Sequence, residues 1–321
     1  MLLLKGMSKE LWKLNKLLPG LFVVLLCAFS LLSEHNLPAD AYLAEDRVYY
    51  GADSYNINYK DEIINAKGNA YFRKANMSIR ASRIVIHYGE NEKRAYFYDN
   101  VRLHDTDTDY TLIGDYGEGY FNIDHYVITG NVAFTDGERK ITAQRAETEG
   151  LEEIIFTDNV VYSDEDMNIA SQQLALWKKE KALFQNEVHA VYIEKGDEIF
   201  CGRLTYFFET GDQEFRNEVL YIQRERTDDK RDPFIIRAEL VQYDREKESY
   251  LLMDRVFATD GIYALRGALV KYFREIEALE SMGNTVINDG LQTVYTDRLY
   301  LDMQNSDVSF MGSSRGVFDV E

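Results

Sequence analysis

The stretch Ile128-Thr129-Gly130-Asn131-Val132-Ala133-Phe134 carries the pattern from which the architecture can be predicted. A small or polar residue, an Asn and a Val stand at its centre, and related stretches recur about every thirty residues. We place the central position of nine copies at residues 70, 101, 132, 160, 188, 219, 256, 286 and 317. A period this regular predicts an array of equivalent structural units rather than a set of unrelated domains.

Each copy alternates apolar and polar side chains, as a β-strand does when only one of its faces is buried. In the stretch quoted above, Ile128, Val132 and Phe134 share one face, and Asn131 lies on the other. Asn, Asp and Gly are poor strand formers. Their recurrence at the centre of each copy therefore predicts a bulge or bend at the same level of every unit.

A second pattern precedes each copy: an apolar residue, any residue, a small residue, two of any kind, then two apolar residues separated by one other. Ile79-Arg80-Ala81 followed by Ile84 and Ile86 is one example. The small position is occupied by Ala, Ser, Gly, Thr or, at one place, Cys201. Each of the nine units is thus expected to contain two strands and two turns.

Three places depart from this scheme. The charged run 224–233 lengthens one unit and is expected to be a solvated loop. Residues 274–280 have helix-favouring composition, but the repeat register predicts strand, turn and strand there. We interpret Gly114, Gly117 and Gly119 as turn glycines.

The first 41 residues have the layout of an export signal. Four lysines precede an apolar run from Leu17 to Leu32, and Ala39-Asp40-Ala41 resembles a cleavage site. The run is shorter than the ~20 residues of a spanning helix. Residues 1–41 are therefore expected to be either a cleaved signal peptide or an uncleaved membrane anchor, and residues 42–321 the exported domain.

Composition limits the functions that are open to the chain. The net charge of −19 argues against binding to nucleic acid or to an anionic surface through a general basic field. Of the two cysteines, only Cys201 belongs to the exported part, so no intrachain disulfide is expected there. The many Tyr and Phe residues and the scarcity of Pro suit an extended β-structure.

Signals of catalysis or metal binding are weak. The run Gly312–Gly316 matches the G-x-S-x-G motif, but the last histidine is His189, upstream of it. The run Asp105–Asp109 resembles the start of a calcium loop but has Tyr110 where that loop needs Gly. We therefore expect a protein that is not an enzyme and has no cofactor.

The repeats predict stacked units whose apolar faces form one continuous interior about 40 Å long. Large residues such as Phe97 and Phe156 alternate with small ones such as Ala66 and Ala190 on that face. This mixture suits either a packed core or a lengthwise apolar trough, and the sequence leaves both open.

The G/D-N-V strand preceded by I-x-A-x-x-apolar-x-apolar at this period resembles the OstA-type repeat of the periplasmic lipopolysaccharide-transport family. The best-matching copies are 79–101, 130–143 and 158–160, and the resemblance covers about residues 48–318. It implies an all-β, elongated, twisted, half-open β-jellyroll of about nine two-strand repeats. It further implies a periplasmic bridge or chaperone that shields acyl chains between the inner and outer membranes.

The partners that the resemblance implies are lipid or lipopolysaccharide cargo, other OstA-like jellyrolls that join by edge-strand addition, and further copies of this chain by head-to-tail self-association. No nucleic acid is expected. The rival hypothesis is a non-catalytic packed β-solenoid that serves as an envelope scaffold or protein-interaction module. The residues expected to line the lipid groove are Phe97, Val101, Ile128, Val132, Phe134, Phe156, Val160, Phe184, Val188, Phe215 and Val219.

Overall fold

The computed structural model describes residues 47–90, 93–149, 152–224 and 232–318. Val48–Glu321 form one compact unit. The expected signal or anchor in residues 1–41, and its boundary with the exported domain, lie outside the described residues. Among the residues that are described, no helix is long and apolar enough to cross a membrane.

The regular structure of the described residues is entirely β, which confirms the all-β prediction. From β2 onward consecutive strands pair antiparallel, and β1 pairs with β3, in one open sheet. The strands are β1 (Val48–Gly51), β2 (Ser54–Asn58), β3 (Ile63–Lys74), β4 (Met77–His87), β5 (Arg94–Asp105), β6 (Tyr110–Tyr120), β7 (His125–Thr135), β8 (Lys140–Glu149), β9 (Glu153–Ser163), β10 (Met167–Trp177), β11 (Lys181–Tyr192), β12 (Glu198–Phe207), β13 (Gln213–Gln223), β14 (Phe234–Asp244), β15 (Ser249–Thr259), β16 (Ala264–Phe273), β17 (Ala278–Asn288), β18 (Gln292–Asp302) and β19 (Asp307–Phe318).

The first edge strand of the sheet is divided into two short strands. Both β1 and β2 pair with β3, β1 along residues 71–74 and β2 along residues 63–67. The break between them lies at Asp53, whose N–H donates to the carbonyl of Gly68 at 2.8 Å. The edge is therefore interrupted at the level where β3 itself bends.

Every odd-numbered strand from β3 onward bends near its middle. In eight of these strands two consecutive residues take left-handed φ, and in β19 Gly312 does so. The odd strand has one residue more than its neighbours at this level, which makes a β-bulge. The left-handed pairs are Gly68–Asn69, Asp99–Asn100, Gly130–Asn131, Asp158–Asn159, Asn186–Glu187, Asn217–Glu218, Asp254–Arg255 and Gly283–Asn284. We call this row the kink line; it confirms the predicted bend.

The small positions of the even-numbered strands pair with the residues that follow these kinks. Ala143 lies opposite Val132, and Cys201 lies opposite Val188. A small side chain leaves room on the inside of the bend for the larger residue across from it. The repeated small residue is thus explained by its place on the kink line.

The bends fold the sheet onto itself. Along β5, Phe97 is six residues from Leu103, about 20 Å in an extended strand. Leu103 is on the same register line as Phe72, through Ile79 of β4. Yet the ring centroids of Phe72 and Phe97 are only 5.7 Å apart. The half-strands on the two sides of the kink line, which we call the two arms, therefore face each other.

Two of the predicted central positions were wrong. In β17 the residue after the left-handed pair is Thr285, which is buried, and Val286 is shifted out of the interior. In β19 the equivalent residue is Ser314, which pairs with Thr296, and Val317 is 46% exposed. Because side chains alternate along a strand, an error of one or three residues assigns the opposite face.

The helix-like composition of residues 274–280 does not produce a helix. Strand β16 ends at Phe273, residues 274–277 form a turn, and β17 begins at Ala278. The repeat register therefore gave the correct prediction, because pairing with both neighbouring strands outweighs a weak local preference.

The kink line yields a stability prediction. Asn131 has φ of +46° and donates from its side-chain amide to Asp115 at 2.8 Å. We expect Asn131→Val to lower the free energy of unfolding by about 1–2 kcal/mol more than Asn131→Gly does, because both lose this hydrogen bond but only Val strains the backbone. Urea unfolding of the two variants measures the difference.

Thr129→Val, in the extended part of the same strand, is the control and should be nearly neutral. Equal losses for Val and Gly at position 131 would contradict the assigned role of the left-handed backbone.

Candidate functional site

The residues expected to line a groove are all in the interior between the two arms. The structure brings them into one apolar cluster, and each is at most 3% exposed. They lie on the odd-numbered strands β5, β7, β9, β11 and β13, on both sides of the kink line.

The interior side chains touch across the arms. Phe134 of β7 contacts Phe156 of β9 with ring centroids 5.7 Å apart, and Tyr162 contacts Phe184 at 5.3 Å. In both pairs a residue that follows the kink in one unit meets a residue that precedes the kink in the next. The interior is closed over these residues, and their apolar surface is removed from water.

The glycines of β6 provide space for large interior side chains, so their interpretation as turn residues was wrong. Gly117 faces Phe97 and Ile128: a Cβ built on it would lie 2.8 Å from Cδ1 of Ile128. A Cβ on Gly119 would lie 2.8 Å from the ring of Tyr126. Glycine is needed at both places because any side chain would collide with these neighbours.

The two arms end in two rows of turns. The first rim contains the turns from an odd-numbered to the next even-numbered strand, beginning with β3–β4. The second rim contains the turns from an even-numbered to the next odd-numbered strand, beginning with β2–β3. Because the sheet is folded, the rims meet along a line opposite the kink line, which we call the seam.

Ion pairs join the two rims along the seam, with the first-rim residue given first in each pair. The described residues form five such ion pairs. In three of them, an acidic residue of the first rim meets a basic residue of the second rim that lies five strands further along the chain. The offset is three strands for Lys74–Asp124 and five strands for the other four pairs. A twisted sheet produces an offset of this kind when its two arms cross. The pairs are Lys74–Asp124 at 2.5 Å, Asp105–Lys178 at 2.8 Å, Asp166–Arg245 at 3.1 Å, Lys195–Glu275 at 2.9 Å and Asp197–Arg274 at 2.7 Å.

The pair Asp105–Lys178 is almost buried, with side chains 2% and 10% exposed. Burial alone would raise the pKa of Asp105. Hydrogen bonds from Lys178, from the Asp107 backbone and from Thr108, with the positive charge of Lys178, outweigh this and hold the pKa below its ordinary value. The folded state therefore keeps this carboxylate charged.

The interior changes character toward its C-terminal half. The hydroxyl of Tyr221 donates to Asp197 at 2.8 Å, and Arg274 donates to the same carboxylate. Tyr192 donates to Gln213, and Tyr272 donates to Gln223. Sequence reasoning missed this network; the signal was Gln213 and Gln223, polar residues on the apolar face of β13. The Phe-rich interior of β3–β11 thus gives way to a hydrogen-bonded Tyr-rich interior.

An apolar cavity of about 370 Å³ lies at the N-terminal end of the interior. Its size is within the range of small-molecule and acyl-chain sites. Its walls come from the first four strands and from the β6–β7 turn, and they expose few polar atoms. The lining residues are Val48, Tyr50, Ile57, Tyr59, Ile64, Ile86, Tyr88 and Phe121.

The weaker sequence motifs lie in ordinary structural surroundings. The run Gly312–Gly316 is inside β19, not at a strand-to-helix turn. Asp105, the first residue of the calcium-like run, is held by Lys178. Cys201 is buried opposite Val188, and burial raises the pKa of its thiol to about 12.

The sequence matches none of the models of known protein families, and no curated protein matches it significantly. A function therefore has to be inferred from the interior, the seam and the open end of the sheet.

Removal of the Asp105 charge tests the seam. We expect Asp105→Asn to destabilise the protein by about 3 kcal/mol at pH 7, because Lys178 is left buried without a counter-charge. The lowered pKa of Asp105 stabilises the fold above the ordinary aspartate value of about 3.9, and this contribution is lost as the pH falls through the lower folded value. The gap between wild type and variant should therefore close in acid.

Thermal unfolding over a pH series measures this gap. Asp109→Asn, on the same turn but 92% exposed, is the control and should have little effect. A pH-independent gap for Asp105→Asn would show that the charge is not the source of the stabilisation.

Proposed function

We propose that the protein is a non-enzymatic lipid-transport bridge or chaperone of the OstA type, with lipopolysaccharide as the principal candidate cargo. In this proposal the folded sheet is a half-open β-jellyroll, exported to the periplasm by the N-terminal segment, and acyl chains bind between its arms. The observation that carries the proposal is the apolar cavity at the N-terminal end, which borders the Phe-rich interior: Ile64 and Ile86 line the cavity and also belong to the buried apolar cluster.

The physical benefit of such a site is the removal of acyl chains from water. Each buried methylene group contributes about 0.8 kcal/mol, so the burial of a whole acyl chain is strongly favourable. Strands β1–β11 suit this cargo, because their interior consists mainly of aliphatic and phenylalanine side chains. The Asp197–Arg274 network makes the C-terminal half a poorer host for acyl chains.

Entry of cargo beyond the N-terminal cavity requires the arms to separate. Phe134 and Phe156 now occupy the space between them, and the seam ion pairs hold the rims together. We infer that lipid enters at the N-terminal end and parts the seam progressively.

The edges of the sheet support assembly into a bridge. Among the described residues, β1 and β2 pair only with β3, and β19 pairs only with β18. Such edges can accept a strand from a related jellyroll or from a second copy. We expect Phe310→Lys, at a residue of β19 that is 39% exposed, to weaken any concentration-dependent association measured by light scattering.

A packed envelope scaffold is the second candidate function. The full burial of the eleven expected lining residues and their ring contacts across the arms favour it. A scaffold needs the interior only for stability and would bind partners through its edges or outer face. The two candidates differ in whether lipid reaches the interior.

Photo-crosslinking separates them. A diazirine amino acid at Val160, which is 1% exposed, should capture lipid when the full chain is incubated with purified lipopolysaccharide. Val161 is the matched control: it is the next residue of β9, is of the same type, and is 44% exposed on the outer face. Mass spectrometry of the adducts should show lipid at 160 and not at 161.

Capture at neither position in a folded protein would overturn the transport proposal in favour of the scaffold. A second variant tests the seam: cysteines at Asp166 and Arg245, joined by a short bis-maleimide in a Cys27→Ser, Cys201→Ala background, should prevent capture at 160. Capture that persists with the linker in place would show that lipid enters without parting the seam there.

A further inference from the structure

Among the turns that the structure describes, those of the first rim gain exposed aliphatic residues toward the C-terminus. From the β3–β4 turn to the β9–β10 turn, exposed or half-exposed polar residues occupy the tips, including Asp107 and Glu165. In the later turns that the structure describes, exposed aliphatic residues occur: Ile193 beside exposed Glu194, then Ile262 and Leu291, which are 51%, 48% and 83% exposed. Residues 225–231 of the β13–β14 turn lie outside the described residues. Turns in water normally carry polar residues, so this change has to have a local cause.

The turn backbone is not that cause. In the β15–β16 turn, Oδ1 of Asp260 accepts from the N–H groups of Ile262 and Tyr263 at 3.0 and 2.8 Å. In the β17–β18 turn, Oδ1 of Asp289 accepts from Leu291 and Gln292 at 2.9 and 2.8 Å. Both turns have a left-handed Gly after the Asp.

The β7–β8 turn has the same framework with a different tip. Oδ1 of Asp136 accepts from Glu138 and Arg139 at 3.3 and 2.8 Å, and Gly137 is left-handed. The position occupied by Ile262 and Leu291 is Glu138 in this turn. The fold therefore accepts a charged residue at the tip, and the conformation of the turn does not require the aliphatic residues of the other two turns.

Ile262 and Leu291 lie on the first rim near the C-terminal edge of the sheet, and Ile193 lies on the same rim four strands before Ile262. The turns that carry Ile262 and Leu291 are two strands apart, about 10 Å. Phe318, which is 69% exposed, pairs with Gln292 next to Leu291. Across the seam, the Lys195–Glu275 ion pair places exposed Ile276 near Ile193. Ile262 and Leu291 are thus neighbours on the rim, with Phe318 beside Leu291, and Ile193 lies about 20 Å from Ile262.

We propose that this C-terminal part of the first rim contacts a lipid bilayer, with Ile193, Ile262 and Leu291 inserted among zwitterionic headgroups. Three tips expose on the order of 300 Å² of apolar surface, well below the ~800 Å² per partner that a stable protein interface buries. Separate protruding tips suit a fluid surface, whereas a second copy would need a continuous matching face. The net charge of −19 disfavours anionic lipid.

Site-specific fluorescence tests this proposal in the full chain, where the apolar run at 17–32 could bind vesicles by itself. Cysteine is placed at Ile262, Leu291 or, as the matched control, Glu138, with Cys27→Ser and Cys201→Ala removing the two native thiols. Each is labelled with an environment-sensitive dye and mixed with phosphatidylcholine vesicles that contain a brominated quencher lipid.

We expect blue-shifted, quenched emission at 262 and 291 and not at 138, with no loss of the signal at 0.5 M salt. With the dye at position 193, Ile262→Glu should raise the lipid concentration needed for half-maximal quenching about tenfold. Loss of the contact made by one half-exposed aliphatic side chain accounts for a factor of this size. The glutamate variant should fold, since Glu138 occupies the same turn position.

Equal quenching at 138 and 262 would overturn the proposal, as would no quenching at 262 and 291. A shift at 262 that needs no vesicles and grows with protein concentration would also overturn it, because a second copy would then cover the rim.

Discussion

The left-handed kink at the middle of each odd-numbered strand from β3 onward is the constraint on which the rest of the structure depends. A long antiparallel sheet without it would leave one broad apolar face in water. Nine kinks at the same level bend all the strands together, and the two halves of that face cover each other. The strain of non-glycine residues in this conformation, such as Glu187 and Arg255, is offset by the apolar burial on both sides.

The two arms are connected more strongly along the kink line than along the seam. Along the kink line the backbone is continuous, and small residues such as Ala143 sit inside the bend. Along the seam only side chains and a few backbone contacts connect the rims, for example Arg139, which donates to the carbonyl of Lys178 at 2.6 Å. Because the backbone is continuous on one side and ion pairs hold the other, any separation of the arms would occur along the seam.

The parts of this fold that could be predicted are those that each strand encodes by itself. Alternation placed Phe97, Val132 and Val160 on the interior face, and the recurring Asn predicted the bend. The predicted central positions 286 and 317 were wrong, because Thr285 and Ser314 occupy the centres of β17 and β19 where the pattern expects Val.

What could not be predicted depends on residues brought together by twist. Asp105 and Lys178 are 73 residues apart, and nothing in their local sequence specifies an offset of five strands. The same is true of the Tyr221–Asp197–Arg274 network. Gly117 was misread because the reason for it is the volume of Ile128 and Phe97 on neighbouring strands, not a turn.

The folding of the sheet along the kink line is the central claim, and an electron–electron spin distance tests it most directly. Nitroxides at Asp107 and Lys179, beside the Asp105–Lys178 ion pair, should lie less than about 20 Å apart, in a background without the native cysteines. In a sheet that is not folded, five strand spacings and one strand length would separate these sites by about 40 Å. A distribution centred near that longer distance would contradict the account.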